Sequence, residues 1–176
     1  MVMRRDALVG AALGVVLVEN IAKEFNVVAT VGKIECGPGA VNVIPGYAKF
    51  TIDIRSGDDQ RRDQALAKIK NELSLICESR GLTAAWSEIH NAPAVACADW
   101  IQALQTSVLS DMNVKPYRLM SGAGHDAMAM VDVCDVAMYF VRCKGGVSHH
   151  PDESVTVEDV TLAIDALGKT LQKLAQ

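Results

Sequence analysis

The sequence predicts a mixed α/β (α+β) protein in two parts, and three observations carry that prediction. Apolar residues recur at three- and four-residue steps in several stretches, as on one face of a helix. Between Tyr47 and Arg55 they alternate with polar residues, as in a half-buried strand. Glycine and proline punctuate these stretches where a chain must turn. The chain has 176 residues, half of them hydrophobic and 22% charged, enough to bury a real core and too apolar for disorder.

In chain order, Leu8, Ala11, Val15, Val18, Ala22 and Phe25 mark one face of a helix from about residue 4 to 25. Val9, Leu13, Val16 and Leu17 make the opposite face apolar, so this helix should be covered on both sides. Its start, Arg4-Arg5 followed by apolar Ala7 to Val18, mimics a secretory leader. Twelve apolar residues are too few to span a bilayer, and no small-residue cleavage site follows, so a buried helix is expected and no membrane partner. Val27 to Glu35 reads as a strand, broken by Gly37-Pro38-Gly39, and Asn42 to Gly46 as a turn. In the next strand Phe50, Ile52 and Ile54 point one way, and Lys49, Thr51, Asp53 and Arg55 the other. Asp58 or Asp59 should cap a helix with the buried stripe Leu66, Ile69, Leu73 and Ile76, ended by Gly81. Leu82 to Ile89 reads as a last strand. Residues 1–92 thus give α-β-β-α-β, a split β-α-β (ferredoxin-like) sandwich lacking its first strand.

Residues 93–176 change character. A helix near Asp99 to Met112 precedes a short strand, Lys115 to Leu119, and the small-residue loop Ser121 to Ala127. Asp135 to Val141 is nearly all apolar, as in a strand buried on both faces. Thr156 and Asp159 form a capping-box pattern opening a helix with the stripe Val160, Ile164, Leu167, Leu171, Leu174. Two strands in an α-β-α-β-α order are too few to stand alone and belong to a larger parallel sheet.

Composition narrows the function. Seventeen Lys and Arg against 21 Asp and Glu give a net charge of −4, and without a basic patch nucleic acid is not an expected partner. The five cysteines are scattered, with no Cys-x-x-Cys pair, which excludes a zinc ribbon and points to reduced thiols in a cytoplasm.

Three places concentrate polar groups. Ser121 to Asp126, after a strand, brings Gly124 and His125, where backbone can approach a ligand and an imidazole can move a proton near neutral pH. The bland alternative is a tight turn with Asp126 as a helix cap. Gly145 to Glu153 carries His149 and His150 with two carboxylates, a plausible site for a divalent metal or else a solvated loop. Adjacent side chains diverge in extended chain, so one of the two histidines would face a given ion. Arg55, with Asn42 at the preceding turn, could clamp a carboxylate through parallel hydrogen bonds, or simply pair with Asp53. His90, Trp86 and Trp100 read as structural.

Together, Arg4 to Leu8, Gly39 to Gly46, Phe50 to Arg55, Met120 to Ala127 and Gly146 to His149 resemble, in order, the allantoate amidohydrolases and N-carbamoyl-L-amino-acid hydrolases of the dinuclear-metal aminoacylase and exopeptidase superfamily. The run Met120 to Met130 with Phe140 to Gly146 is closest to the allantoate branch; N-carbamoyl-amino-acid hydrolase or β-ureidopropionase is the alternative, and a non-catalytic dimerisation module a further one. The resemblance covers the C-terminal part of such an enzyme. It implies a lid and dimerisation domain over 1–92 and the end of an α/β catalytic domain over 93–176. The N-terminal catalytic half, with the glutamate general base, would lie upstream. The resemblance further implies a ureido acid substrate, a homodimer formed through the lid, and two divalent ions, zinc or manganese, that activate a bridging water. By the same resemblance Asn42 and Arg55 bind the ends of the substrate, Gly124 and His125 line the pocket, and His149 ligates one metal. The relatives more often follow that histidine with a different residue and Pro-Ala-Glu, where this chain has His150-Pro151-Asp152-Glu153. This chain alone should be inactive and bind metal weakly or not at all.

Overall fold

Asp6 starts the first helix. In the computed structural model, which describes residues 3–176, its carboxylate accepts the Val9 N–H at 3.1 Å and is itself held by Arg4. The helix α1, Ala7–Phe25, ends at Asn26, whose left-handed backbone returns its N–H to the Ala22 and Lys23 carbonyls. The chain divides into two units, Met1–Ala94 and Val95–Gln176.

In the first unit α1 leads into β1, Val28–Thr30, and β2, Ile34–Gly37. Then come β3, Tyr47–Phe50, β4, Asp53–Arg55, and α2, Asp59–Ser79. All pairing is antiparallel, β1 with β4 and β2 with β3. The two ladders are one long hairpin with a slip in it. Thr30 faces Asp53 and Ile34 faces Phe50, so four steps on one side match three on the other, and one extra residue bulges between Thr30 and Ile34. Val27, Ala29 and Val31 on one arm and Ile52 and Ile54 on the other pack on a core of Val18, Ile21, Ala65 and Ile69.

The caps and stripes of this unit follow the expected chemistry with small shifts. Asp58 caps α2 by accepting the Arg61 N–H at 3.1 Å. Gly81, at φ +63°, follows the helix end, and the Leu82 N–H reaches back to the Cys77 carbonyl. Ile69 is wholly buried and Leu73 nearly so, whereas Leu66 and Ile76 are half-buried. On α1 the buried face is Gly10, Ala11, Gly14, Val18, Ile21 and Ala22. Gly14 is what lets α1 lie close: a Cβ there would come within 2.8 Å of Leu73 Cδ1 and 3.1 Å of the Phe50 ring. The other face is not covered; Val9, Leu13 and Val16 are exposed.

Three expected strands are missing for one reason. Leu82 to Ile89 joins no ladder, and neither does Lys115 to Leu119 nor Asp135 to Val141. A strand exists only beside a partner. In a split β-α-β sandwich the last strand lies beside the first, and residues 3–6 ahead of α1 form no strand. The second unit therefore consists, among the described residues, of helices and connecting chain. Its helices are α3, Asp99–Asp111, α4, Ala127–Met130, and α5, Val157–Leu174, with a 3₁₀ turn at Lys144–Gly146. Phe140 and Val141, expected to be buried on both faces, are exposed.

The capping box of α5 forms as read: Thr156 Oγ1 accepts the Asp159 N–H at 3.1 Å and donates to the Asp159 carboxylate at 2.9 Å. Its buried face is a different one from the apolar stripe. Ala166 and Thr170 are buried, with Thr170 Oγ1 at 2.8 Å from the Tyr139 hydroxyl, and α3 packs against α5. Ile164 is 63% exposed, and Leu167, Leu171 and Leu174 are exposed with it. No helix among the described residues is long and apolar enough to cross a membrane.

Two outcomes follow for the first unit. Gly14→Val should destabilise it by about 1–3 kcal/mol through overpacking against Leu73 and Phe50, read as a lowered urea midpoint by far-UV circular dichroism. The Asp6 carboxyl sits below the usual carboxylate range, chiefly through its hydrogen bond from Arg4 and then that from the Val9 N–H. Its stabilising effect is therefore complete above about pH 4 and is lost as the pH falls further. Asp6→Asn should flatten the dependence of the urea midpoint on pH in that acid range.

Candidate functional site

The hairpin and the two loops of the second unit hold every residue singled out from the sequence. Asn42 is exposed in the loop joining β2 to β3, a loop closed by the Gly46 N–H on the Gly37 carbonyl at 2.9 Å. Arg55 ends β4, opposite Val28. Eight residues separate Tyr47 from Arg55, on the order of 25 Å at full extension. Register thus sets Asn42 and Arg55 toward opposite ends of the hairpin.

Arg55 is engaged. Its Nε and Nη2 donate to the two Asp53 oxygens at 2.6 and 2.8 Å, the parallel geometry of a guanidinium holding a carboxylate. Asp53 faces the same side two residues away, so a period-2 strand brings the pair together. That bond holds the Asp53 carboxyl below its ordinary range. Both side chains are about half exposed, so another carboxylate can reach the fork and exchange with Asp53.

In the second unit the loop after residue 120 is built around a hydroxyl. Ser121 Oγ accepts the Ala123 N–H at 3.2 Å and lies 2.6 Å from His125 Nε2. Ser121 is not among the residues that the sequence singles out, and its one signal there is a hydroxyl four residues ahead of an imidazole in a loop of small residues. His125 and Gly124 are exposed, and a Cβ on Gly124 would meet nothing within 4 Å. No packing within the unit therefore demands glycine there. The Asp126 side chain makes no capping bond to α4, which removes the bland explanation for that residue.

The loop carrying His149 is tied at its base by the Lys144 N–H on the Ser154 carbonyl at 2.8 Å. Gly145 and Gly146 take φ of +67° and +69°, which glycine adopts freely. His149 takes φ +57°, unusual for a residue with a side chain. Its N–H donates to Glu153 Oε2 at 2.8 Å. His150 Nδ1 accepts the Asp152 N–H at 3.2 Å. Glu153 is thus engaged by the His149 backbone and His150 by the Asp152 backbone, and the His149 ring is left exposed and without a hydrogen bond among the described residues. No three His, Cys, Asp or Glu side chains among the described residues converge on a point that could hold a metal ion. A two-ion centre needs more donors than the described residues bring together.

Comparison with known proteins adds what the geometry leaves open. The model of peptidase family M20/M25/M40 matches residues 3–173. Allantoate deiminase 2 of Glycine max is 34% identical over 203 residues, taking in 99% of this chain and 42% of that protein. An N-carbamoyl-L-amino-acid amidohydrolase of a Pseudomonas species is 34% identical over 98% of this chain and 42% of its own length. Among solved structures, AtUAH in complex with glyoxylate superposes with a TM-score of 0.88 at 29% identity, covering 99% of this chain and 42% of that one. The chain spans about two fifths of the length of these relatives.

The backbone at His149 gives a test of the loop. His149→Gly should leave stability unchanged or raise it by up to about 1 kcal/mol, because glycine accepts the left-handed conformation without strain. His149→Ala keeps the strain and should show no such gain in the urea midpoint.

Proposed function

The chain belongs to peptidase family M20/M25/M40, and from that premise we propose that it is the C-terminal part of a hydrolase of linear amide C–N bonds in ureido acids, with allantoate as the substrate. The observation that carries this reading is the pair of activities named among its relatives. Both the allantoate deiminase and the N-carbamoyl-L-amino-acid amidohydrolase act on a ureido group, and each aligns with nearly the whole chain. The N-carbamoyl-amino-acid substrate is the second reading, supported by equal identity.

In this proposal the first unit is a lid and dimerisation domain, and the second is the end of a catalytic domain. Arg55 takes the substrate carboxylate in the two-bond geometry it now makes with Asp53. Asn42 reads the ureido end through its amide. Their joint use on one small molecule requires the Asn42 loop to fold back along the hairpin or a second copy of the chain to supply one of them. Gly124 admits the substrate close to backbone, and His125 donates to its carbonyl oxygen. Closure of such a lid turns binding energy into orientation.

His149 would supply one imidazole to a centre of two divalent ions, zinc or manganese, whose remaining donors do not converge on it among the described residues. The chain alone is expected to be inactive and to hold metal weakly. Five cysteines, all free, accord with a cytoplasmic setting.

A chimaera tests this, with these 176 residues replacing the corresponding segment of the Glycine max allantoate deiminase. Manganese-dependent ammonia release from allantoate should exceed that from N-carbamoyl amino acids. Arg55→Ala should lower kcat/KM about a hundredfold, the worth of a two-bond contact to a charge. An unchanged rate in that variant removes the carboxylate clamp, and no release at all from either substrate removes the ureido reading.

A further inference from the structure

We infer that Ser121 is a positioning residue for His125: it holds the neutral imidazole as the Nδ1–H tautomer and so makes Nδ1–H the donor offered to a ligand. The inference rests on the reading of His125 as a pocket residue and adds to it the form in which that residue works.

The argument is a count of protons and lone pairs. Ser121 Oγ carries one proton and already accepts the Ala123 N–H at 3.2 Å. Its proton has two possible acceptors, the Ala123 carbonyl at 3.5 Å and His125 Nε2 at 2.6 Å. If Nε2 carried the hydrogen and donated to Oγ, the hydroxyl proton would be left with the 3.5 Å contact, at the outer limit of a hydrogen bond. If Oγ donates to Nε2, the hydroxyl proton and the Nε2 lone pair are both satisfied at good distance. Nε2 is then an acceptor, and the single ring hydrogen of the neutral imidazole sits on Nδ1.

Nδ1 has no hydrogen-bond partner among the described residues, and the ring is exposed. The donor is therefore presented to whatever enters the loop. A free imidazole in water prefers its hydrogen on Nε2, so the loop overrides the ordinary preference. Glycine and alanine at positions 122–124 keep the turn tight enough for a side chain four residues ahead to reach the ring.

Long-range ¹H–¹⁵N correlation spectra of the uniformly ¹⁵N-labelled 176-residue chain at about pH 8, where imidazoles are neutral, test this directly. The His125 signals are identified by their loss in His125→Gln. His125 should read as Nδ1-protonated, change to mainly Nε2-protonated in Ser121→Ala, and return to Nδ1-protonated in Ser121→Thr, which restores the hydroxyl. An Nε2-protonated His125 in the unaltered chain overturns the inference, as does any tautomer ratio that Ser121→Ala leaves unchanged. The measurement uses no substrate and no metal. Its failure leaves the proposed activity standing, and a chimaera without ureido hydrolysis leaves the tautomer result standing.

Discussion

The first unit depends on how closely α1 can lie against α2 and the hairpin. Gly14 sets that distance. With no side chain there, Leu73 Cδ1 and the Phe50 ring fill the space a Cβ would need, and Val18, Ile21, Ala65 and Ile69 close into a buried core beside it. A larger residue would push α1 outward and open this cluster, where tight packing holds the structure together. The hairpin is built on that core through Val27, Ala29, Val31, Ile52 and Ile54. The station of Arg55, next to Ile54 on β4, is thus set by packing on the opposite face of the hairpin.

What was legible in the sequence is what each segment can settle by itself. A helix closes its own hydrogen bonds, and α1, α2, α3 and α5 stand close to where the sequence put them, with Asp58 and Thr156 as the expected caps; the cap at Asp6, past the expected start near residue 4, was not among them. The two extended stretches and the turn between them were legible too, although Val27 to Glu35 and Tyr47 to Arg55 each divide into two short strands. Strands that need distant partners were not: Leu82 to Ile89, Lys115 to Leu119 and Asp135 to Val141 have the composition and lack the neighbour. The same limit explains α5, whose apolar stripe promised burial while the face chosen by α3 carries Ala166 and Thr170. Periodicity reports that a face is apolar and is silent on what lies against it.

The site residues divide along similar lines. The pair of Arg55 with Asp53 follows from strand alternation and stood among the alternatives. The bond from Ser121 to His125 depends on the turn of one loop, and no spacing rule announces it. The left-handed backbone of His149 is likewise a product of its loop: two glycines lead in, and Glu153 holds the N–H from the far side. That conformation separates the direction of the His149 ring from that of His150, whose Nδ1 is turned back to Asp152.

The slip between Thr30 and Ile34 gives the hairpin a reading frame. Side chains on a strand alternate, so one extra residue exchanges the faces: odd positions meet the core before the slip, and even ones pair with Ala48 and Phe50 after it. Loss of Gly32 or Lys33 would therefore be no small trim. The chain beyond would either keep its pairing and turn Val27, Ala29 and Val31 outward, or keep those three inside and mispair the rest, so natural sequence variation at this point should favour exchange of residues over change of length.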